Sequence, residues 1–347
     1  MSLNTKEMLK LMKLAMTADK NSPIAYSFGE EKFDATEIND ALRTELAELA
    51  GTYQLYRENQ NQVFALMEQT IDDVLPARVL AQYGDFADVA TVAQGDKAIF
   101  RQRITNASRM RAKQFVTKVG LAGVYETFKL DGRTVTVETM AYGGAAMISL
   151  EEFLDGRITF ADVLDIVMLA LDEAIYKEIA KALVASIASL PAANKVTDAG
   201  FSETKMDQLI AVADAYGQAA IYCTYEFAAK MLPANTSGAS MISDGMKDTL
   251  WSTGYIANYK GHRVIVLPNS FVDNDNATKV IDPQWGWVIP TGGYKPVKIA
   301  FEGQTIVQDF SNRDGSREVQ VYKKIGVGTL VSNNIGSYQM TALKTTW

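Results

Sequence analysis

The segment 159–190 constrains the fold most, because it reads as one unbroken helix that stops at Pro191. Thr159 followed by Asp162 is an acidic variant of the N-terminal capping box, and a proline cannot continue a helix. At 1.5 Å per residue such a helix is about 45 Å long, which is long for a globular protein. The fold must therefore accommodate a rod that reaches across the molecule.

The apolar residues of this helix recur every four positions, and the charged residues follow the same spiral. Four residues overshoot a full turn by about 40°, so the apolar row winds around the helix axis. A helix on one flat core would keep its buried face constant. We therefore predict a spine helix that crosses several neighbouring elements; a long core helix of an ordinary enzyme is the alternative. The row comprises Val163, Val167, Leu171, Ile175, Ile179, Leu183 and Ile187.

The counts of cysteine and histidine exclude several kinds of chemistry. The chain has 347 residues, enough for a sizeable core and two subdomains, but one cysteine and one histidine. Cys223 alone cannot form an intramolecular disulfide, and Cys223 and His262 together supply at most two ligands of a zinc site. Any Ser-His-Asp or Cys-His arrangement would have to use His262. We therefore expect no catalytic residues, no metal and no cofactor, and so no enzyme.

The net charge of −7 argues against a general nucleic-acid binder, which needs a basic footprint. The apolar run of the spine helix from Ile166 to Leu171 is bracketed by Asp165 and Asp172, far short of the roughly 20 residues that a membrane span needs. The first residues also lack the apolar core of a targeting segment. We expect a soluble protein that is made in the cytoplasm and does not contact a membrane.

Two regions before the spine helix have too few apolar residues to form a core of their own. Residues 1–75 read as short amphipathic helices, which we interpret as an arm that docks on another surface; a small helical subdomain is the alternative. Residues 101–147 contain two alternating runs around Asp131-Gly132, a strong hairpin signal, after a segment rich in arginine. Such a ribbon is marginal in isolation and needs a partner surface.

Other segments predict a mixture of short strands and helices. Residues 74–75 and 79–80 read as strand pieces. After the spine helix, we predict helices that begin at Ser202, Glu226 and Ser243 and strands at 220–224, 262–268, 285–289, 297–301, 318–322 and 327–331.

Two short motifs resemble ligand sites but lack essential parts. Gly326-Val-Gly328 resembles the start of a dinucleotide loop, but its third glycine and the following helix are missing. The run Asp273 to Asn276 lacks the glycine and the glutamate of a calcium loop, so a surface turn is the better interpretation.

The order of these elements resembles the major capsid protein fold of tailed bacteriophages, the Hong Kong 97 type. The resemblance rests on the ribbon with Leu130-Asp-Gly-Arg133, on the spine helix and on Asn258 to Pro268, a glycine followed by an apolar strand. It implies an α+β fold with an N-terminal helical arm (1–75), peripheral-domain strands (76–100), an extended β-hairpin loop (101–147), the peripheral domain with the spine helix (148–200), a mixed α/β axial domain (201–296) and C-terminal strands that return to the peripheral and axial sheet (297–347).

The resemblance implies a shell protein of the virion that is made in the host cytoplasm. Its partners would be further copies of the chain, as pentamers and hexamers, together with a separate scaffolding protein, a portal, decoration proteins and packaged double-stranded DNA. In this family the extended loop lies over a neighbouring subunit. The expected contact residues are Lys129, Asp131, Gly132 and Arg133 at the loop tip, and Arg101, Arg103, Arg109 and Arg111 at the ribbon base.

Two further hypotheses remain open from the sequence. A bacterial encapsulin, which is a nanocompartment shell, shares the fold and would bind cargo peptides instead of phage proteins. A soluble α/β enzyme would need a pocket with convergent polar groups, which the single His and Cys disfavour.

Overall fold

The computed structural model describes residues 5–17, 26–28, 31–102, 132–148, 160–231, 244–267, 269–272, 275–291, 295–311, 317–330 and 333–343. The helices in these ranges are α1 (Thr5–Thr17), α2 (Ala35–Ala50), α3 (Tyr53–Tyr83), α4 (Phe160–Ser186), α5 (Glu203–Asp214), α6 (Tyr225–Lys230) and α7 (Asp244–Thr253). The strands are β1 (Tyr26–Phe28), β2 (Glu31–Phe33), β3 (Ala87–Val92), β4 (Ala98–Gln102), β5 (Arg133–Val137), β6 (Met140–Ile148), β7 (Lys195–Asp198), β8 (Ala219–Cys223), β9 (Asn258–Tyr259), β10 (His262–Val266), β11 (Trp285–Pro290), β12 (Val297–Ser311), β13 (Arg317–Thr329) and β14 (Gly336–Met340).

Two larger sheets organise the described residues. A four-stranded sheet has the order β3-β12-β13-β6, in which β3 and β12 are parallel and the other pairs are antiparallel. A six-stranded mixed sheet has the order β7-β14-β11-β8-β10-β9. The pairs β1–β2 and β4–β5 form two-stranded sheets. The structure is thus α+β, as predicted.

The spine helix is confirmed as α4, which runs from Phe160 to Ser186 and continues as a 3-10 turn to Ser189. Five members of its four-residue row, from Val167 to Leu183, are buried. Helix α4 contacts β13 and β6 of the four-stranded sheet and also α2 and α3. The rotating apolar face therefore meets several neighbours, as predicted.

The N-terminal helices dock on the body of the same chain. Met8, Leu42 and Leu66 of α1, α2 and α3 are buried in one hydrophobic core with Val167 of α4 and Phe301 of β12. The surface that the predicted arm needs is therefore supplied by the chain's own sheet and spine helix.

The prediction of strand pieces at 74–75 and 79–80 is wrong, because α3 continues through both and ends at Tyr83. Pro76 lies inside this helix, where a proline removes one hydrogen bond and ordinarily ends the helix. Leu75 and Val79, at 0% exposure, are buried in the core. Tertiary packing outweighs the local preference here.

The strands β12 and β13 are longer than predicted. The predicted strands 318–322 and 327–331 are one strand, because β13 runs from residue 317 to 329, paired with β6 over residues 317–325 and with β12 on both sides of a β-bulge. By contrast, the predicted strands of the six-stranded sheet are confirmed as β8, β10 and β11, and the helices predicted in the same part of the chain are confirmed as α5, α6 and α7.

A β-bulge in β12 joins helix α3 to the four-stranded sheet. The register shifts between Glu302 and Ile306, which frees backbone N–H groups of β12. Asp72 on α3 accepts hydrogen bonds from the Thr305 backbone N–H at 2.9 Å and from its hydroxyl at 2.5 Å. Glu68, one turn earlier, accepts from the Val307 backbone N–H at 2.8 Å.

Asp72 also holds a buried cation. Lys323 on β13 is 2% exposed, and its ammonium donates to Asp72 at 2.5 Å and to the Gly303 carbonyl oxygen at 2.8 Å. A buried ammonium without a counterion is strongly destabilising. Asp72 therefore satisfies both the bulge and the lysine.

We expect Asp72→Ala to lower the free energy of unfolding by about 3–5 kcal/mol, because it strands the buried Lys323 ammonium. Denaturant unfolding curves measure this. The matched control is Asp73→Ala, which breaks the exposed pair of Asp73 (47% exposed) with Lys13 and should cost less than about 1 kcal/mol. Equal losses for the two variants would contradict the role of Asp72.

Candidate assembly surface

The ribbon is anchored by the two-stranded sheet β4–β5. The chain leaves β4 at Gln102 and re-enters β5 at Arg133, and these two residues face each other in the register. Residues 103–131, which lie outside the described residues, therefore begin and end at the same end of this strand pair.

The two faces of β4–β5 differ in character. Ala98, Phe100 and Val137 point toward a small core that also contains Ala300 of β12. On the opposite face, Arg101 and Thr134 are paired and exposed, and Ile99 is 54% exposed. Alternation along a strand produces this division. The pair thus presents one face of mixed apolar and cationic character to the surroundings.

The structure describes three of the eight predicted contact residues. Arg101 lies in β4, Gly132 precedes β5 and Arg133 begins it, and all three are exposed. Arg101 and Arg133 occupy adjacent register positions on opposite faces of the strand pair. The remaining five, Arg103, Arg109, Arg111, Lys129 and Asp131, lie outside the described residues.

The register corrects the expected position of Arg133. The Asp-Gly signal placed Arg133 at the ribbon tip, but Arg133 pairs with Gln102 beside Arg101, at the ribbon base. Residues 133–137 have an alternating pattern that identifies a strand and its faces, but that pattern does not identify the partner strand. The predicted pairing with residues 124–130 lies outside the described residues.

Glu302 on β12 ties the ribbon base to the four-stranded sheet. Its carboxylate is buried (6% exposed) and accepts hydrogen bonds from the Gly95 backbone N–H at 2.9 Å and the Lys324 ammonium at 2.8 Å. The Thr139 hydroxyl donates to the other carboxylate oxygen. Gly95 precedes β4 and Thr139 follows β5, so one carboxylate holds both ends of the strand pair. These donors, Lys324 first, lower the pKa of Glu302 to about 2.

A second buried charge supports the same region. Lys298 on β12 is 4% exposed, pairs with Asp88 on β3 and lies 5.6 Å from the centre of the Phe100 ring. A cation above an aromatic face is a favourable contact. The contact between Lys298 and Phe100 holds the inward-facing side of β4 against the four-stranded sheet.

Gly326 and Gly328 have a structural role in place of nucleotide binding. Both lie inside β13, where no phosphate-binding loop exists. A Cβ atom at Gly326 would overlap the Glu138 carbonyl oxygen, and one at Gly328 would press on Val137. Glycine thus permits β5 to cross closely over the sheet.

The chemical candidates weighed from the sequence do not converge on a reaction centre. Cys223 is fully buried in β8, and burial raises the pKa of its thiol. His262 lies in β10 with its Nδ1 3.2 Å from the Ala219 carbonyl oxygen and its Nε2 3.4 Å from Asp214. Within the described residues, no three His, Cys, Asp or Glu side chains are grouped to hold a metal ion. None of the described helices has the length and apolar character to cross a membrane.

A cavity of about 270 Å³ lies between α3, α4 and residues 269–270. It is lined by the ion pair of Arg78 and Asp172, 3.2 Å apart, and by Tyr176, whose buried hydroxyl has no hydrogen-bond partner among the described residues. Burial raises the pKa of Asp172, and Arg78 opposes this shift. Ser270 and Glu173 also line the cavity, and the Ser270 hydroxyl donates a hydrogen bond to the Glu173 carboxylate at 3.0 Å.

Comparison with protein families identifies the chain. Residues 10–339 match the family described as "SPbeta prophage-derived putative capsid protein YonB". The chain belongs to this family of prophage capsid proteins. No curated protein sequence matches it.

Two solved capsid structures show the same fold. A capsid protein of the cyanophage P-SCSP1u has a TM-score of 0.50 and 10% identity, over 74% of this chain and 87% of that one. A protein from the head of the Helicobacter pylori bacteriophage KHP40 has a TM-score of 0.50 and 14% identity, over 75% and 91%. The fold is therefore of the Hong Kong 97 type, which confirms the resemblance stated from the element order.

The anchoring residues of the ribbon were missed by sequence reasoning. Glu302 and Lys298 lie in β12, and Lys324 lies in its partner strand β13. No sequence motif marks any of these three residues. The signal that could have identified them is a charged residue at an inward-facing position of an otherwise apolar strand, because a buried charge requires a partner.

We expect the Glu302 carboxylate to make stability depend on pH. Its pKa falls from 4.5 to about 2 on folding, so its contribution is complete above pH 4.5 and is lost as the pH falls toward 2. In denaturant unfolding between pH 7 and pH 2, Glu302→Gln should be less stable than the wild type at pH 7, and the difference should shrink on acidification.

The control variant is Glu138→Gln, which changes an exposed carboxylate beside the same strands. It should retain the pH profile of the wild type. A stability difference between Glu302→Gln and the wild type that stays constant with pH would show that the carboxylate charge is not the cause.

Proposed function

We propose that this chain is a major capsid protein whose copies form pentamers and hexamers and close into an icosahedral phage head around double-stranded DNA. What supports this is the family match over residues 10–339 together with the Hong Kong 97-type fold. Capsid proteins act by assembly, so the relevant chemistry is the surface that each copy offers to the next.

The ribbon is the first such surface in this proposal. Its base β4–β5 is fixed by Glu302 and Lys298, while Arg101 and Arg133 remain exposed. A rigid anchor lowers the ordering cost of a contact made by the segment it carries. We assign to residues 103–131 the loop that lies over a neighbouring subunit, with Arg101, Arg103, Arg109, Arg111, Lys129, Asp131, Gly132 and Arg133 as contact residues.

The other partners are a separate scaffolding protein, a portal, decoration proteins and the packaged genome. We infer these partners from the proposed capsid role. With a net charge of −7, the chain would enclose DNA by the closure of its shell, with non-specific contacts on the inner face, because strong phosphate binding needs a basic surface. The protein would be made in the host cytoplasm and end in the virion.

An encapsulin-type nanocompartment is less well supported. The matching family is that of a prophage capsid. An enzyme is less well supported still, since the family match and the similar solved structures are those of capsid proteins.

We expect the purified protein, alone or with its scaffolding protein, to form rings of five or six copies and closed shells. Light scattering and negative-stain electron microscopy measure this. A persistent monomer or dimer in the presence of the scaffolding protein would contradict the proposal, and a shell that captures cargo enzymes instead of DNA would favour the nanocompartment.

We expect Arg101→Glu to raise the protein concentration at which shells form by about tenfold, which corresponds to about 1.4 kcal/mol per contact. The side chain is exposed, so the melting temperature of the unassembled protein should not change. Arg57→Glu, which reverses an exposed arginine of α3, is the matched control. Equal effects of the two variants would mean that only net charge matters.

A further inference from the structure

One end of the six-stranded sheet carries several large apolar side chains that face solvent. Trp251 in the last turn of α7 is 88% exposed, and Tyr225 at the start of α6 is 49% exposed. Phe271 and Val272, which follow β10, are 39% and 52% exposed. Single exposed apolar residues are normal, but a contiguous patch of them marks an interaction site.

We call these four residues the aromatic patch. The Tyr225 hydroxyl lies against Gly254, which follows α7 three residues after Trp251. Lys279 pairs with Glu226, the neighbour of Tyr225, and its ammonium lies 5.1 Å from the centre of the Phe271 ring. The chain from α7 to residue 272 is therefore connected by direct contacts.

The fold holds this patch in place. Strands β8 and β10 are parallel neighbours, so the segments that follow them, with Tyr225 and Phe271, emerge at the same edge of the sheet. The Glu226–Lys279 pair beneath is 16% and 10% exposed. Tyr225 also packs edge-on against Tyr255, with ring centres 6.2 Å apart. Aromatic side chains that are ordered before binding lose little entropy in a contact.

The chemistry of the patch indicates what covers it. Apart from Lys279, which is paired with Glu226, the described side chains of the patch are aromatic and aliphatic, and such a surface does not suit DNA, whose binding is dominated by phosphate contacts. Tryptophan and tyrosine are the residues that most often anchor contacts between proteins. A fully buried aromatic side chain contributes about 150–250 Å². Trp251 can bury most of that area in a contact, whereas Tyr225 and Phe271 are already about half-buried, so the patch supplies part of the roughly 800 Å² per partner of a stable interface.

A capsid shell surrounds each subunit with copies of itself, so the abundant protein surface is this same chain. We propose that the aromatic patch is a contact between adjacent copies of the chain, with Trp251 as its anchor. This inference rests on the proposed capsid function and assigns to it a contact separate from the ribbon. The contact is heterologous, because rings of five or six copies require two different surfaces to meet.

The first test is the concentration dependence of shell formation for the wild type, Trp251→Ala and Trp251→Phe. We expect Trp251→Ala to raise the threshold at least about tenfold, and Trp251→Phe to restore most of the loss. The melting temperature of the unassembled protein should be unchanged, because the side chain is exposed. An unchanged threshold for Trp251→Ala in a protein that forms shells would overturn the inference alone.

A second measurement does not depend on removing the tryptophan. Ser252→Cys places a thiol beside Trp251 on the exposed end of α7, and the natural Cys223 is fully buried, so background labelling is low. We expect a maleimide to label unassembled subunits quickly and assembled shells slowly. Equal labelling rates would also overturn the inference, and a wild type that never assembles would overturn both this contact and the proposed function.

Discussion

Two carboxylates on one face of α3 connect the helical and sheet parts of this molecule. Glu68 and Asp72 are one turn apart. Asp72 accepts a hydrogen bond from the backbone N–H of Thr305, which lies in the β12 bulge, and Glu68 accepts one from Val307, just beyond the bulge. Asp72 also neutralises the buried Lys323. Unpaired N–H groups and an unpaired ammonium would each be costly in the core. The bulge, the helix and the lysine are therefore stable only together, and the spine helix packs on the sheet that they complete.

Buried charged side chains also hold the structure together where the ribbon leaves the four-stranded sheet. Glu302 accepts from groups on both sides of β4–β5, and Lys298 lies under Phe100 with Asp88 as its partner. Buried charges with several partners define a single geometry, whereas apolar contacts tolerate sliding. In the proposed assembly, a contact segment that starts from a fixed base would meet the neighbouring copy in a consistent direction. The aromatic patch achieves a similar rigidity through the Glu226–Lys279 pair.

Particular residues show why parts of the fold and site were predictable. The spine helix was readable because its apolar spacing, cap and terminal proline agree, and Ala219–Cys223 because a wholly apolar run suits a buried strand. The helix through Pro76 was not readable, because burial of Leu75 and Val79 overrides a local signal. Arg133 was assigned to the wrong end of the ribbon, because a strand pattern does not name its partner.

The sequence by itself determined most of the element types, the exclusion of most catalytic chemistries by one cysteine and one histidine, and the element order typical of capsid proteins. The tertiary structure decided which strands pair, that the N-terminal helices share the core of the body, that Glu302 and Asp72 bind distant partners, and that Trp251 is exposed. The physical reason is the distance along the sequence over which each interaction acts. Periodicity and turn chemistry act over a few residues. By contrast, Glu302 accepts a hydrogen bond from Thr139, 163 positions away, and Asp72 accepts one from Lys323, 251 positions away. The exposure of Trp251 likewise depends on the packing of the whole chain.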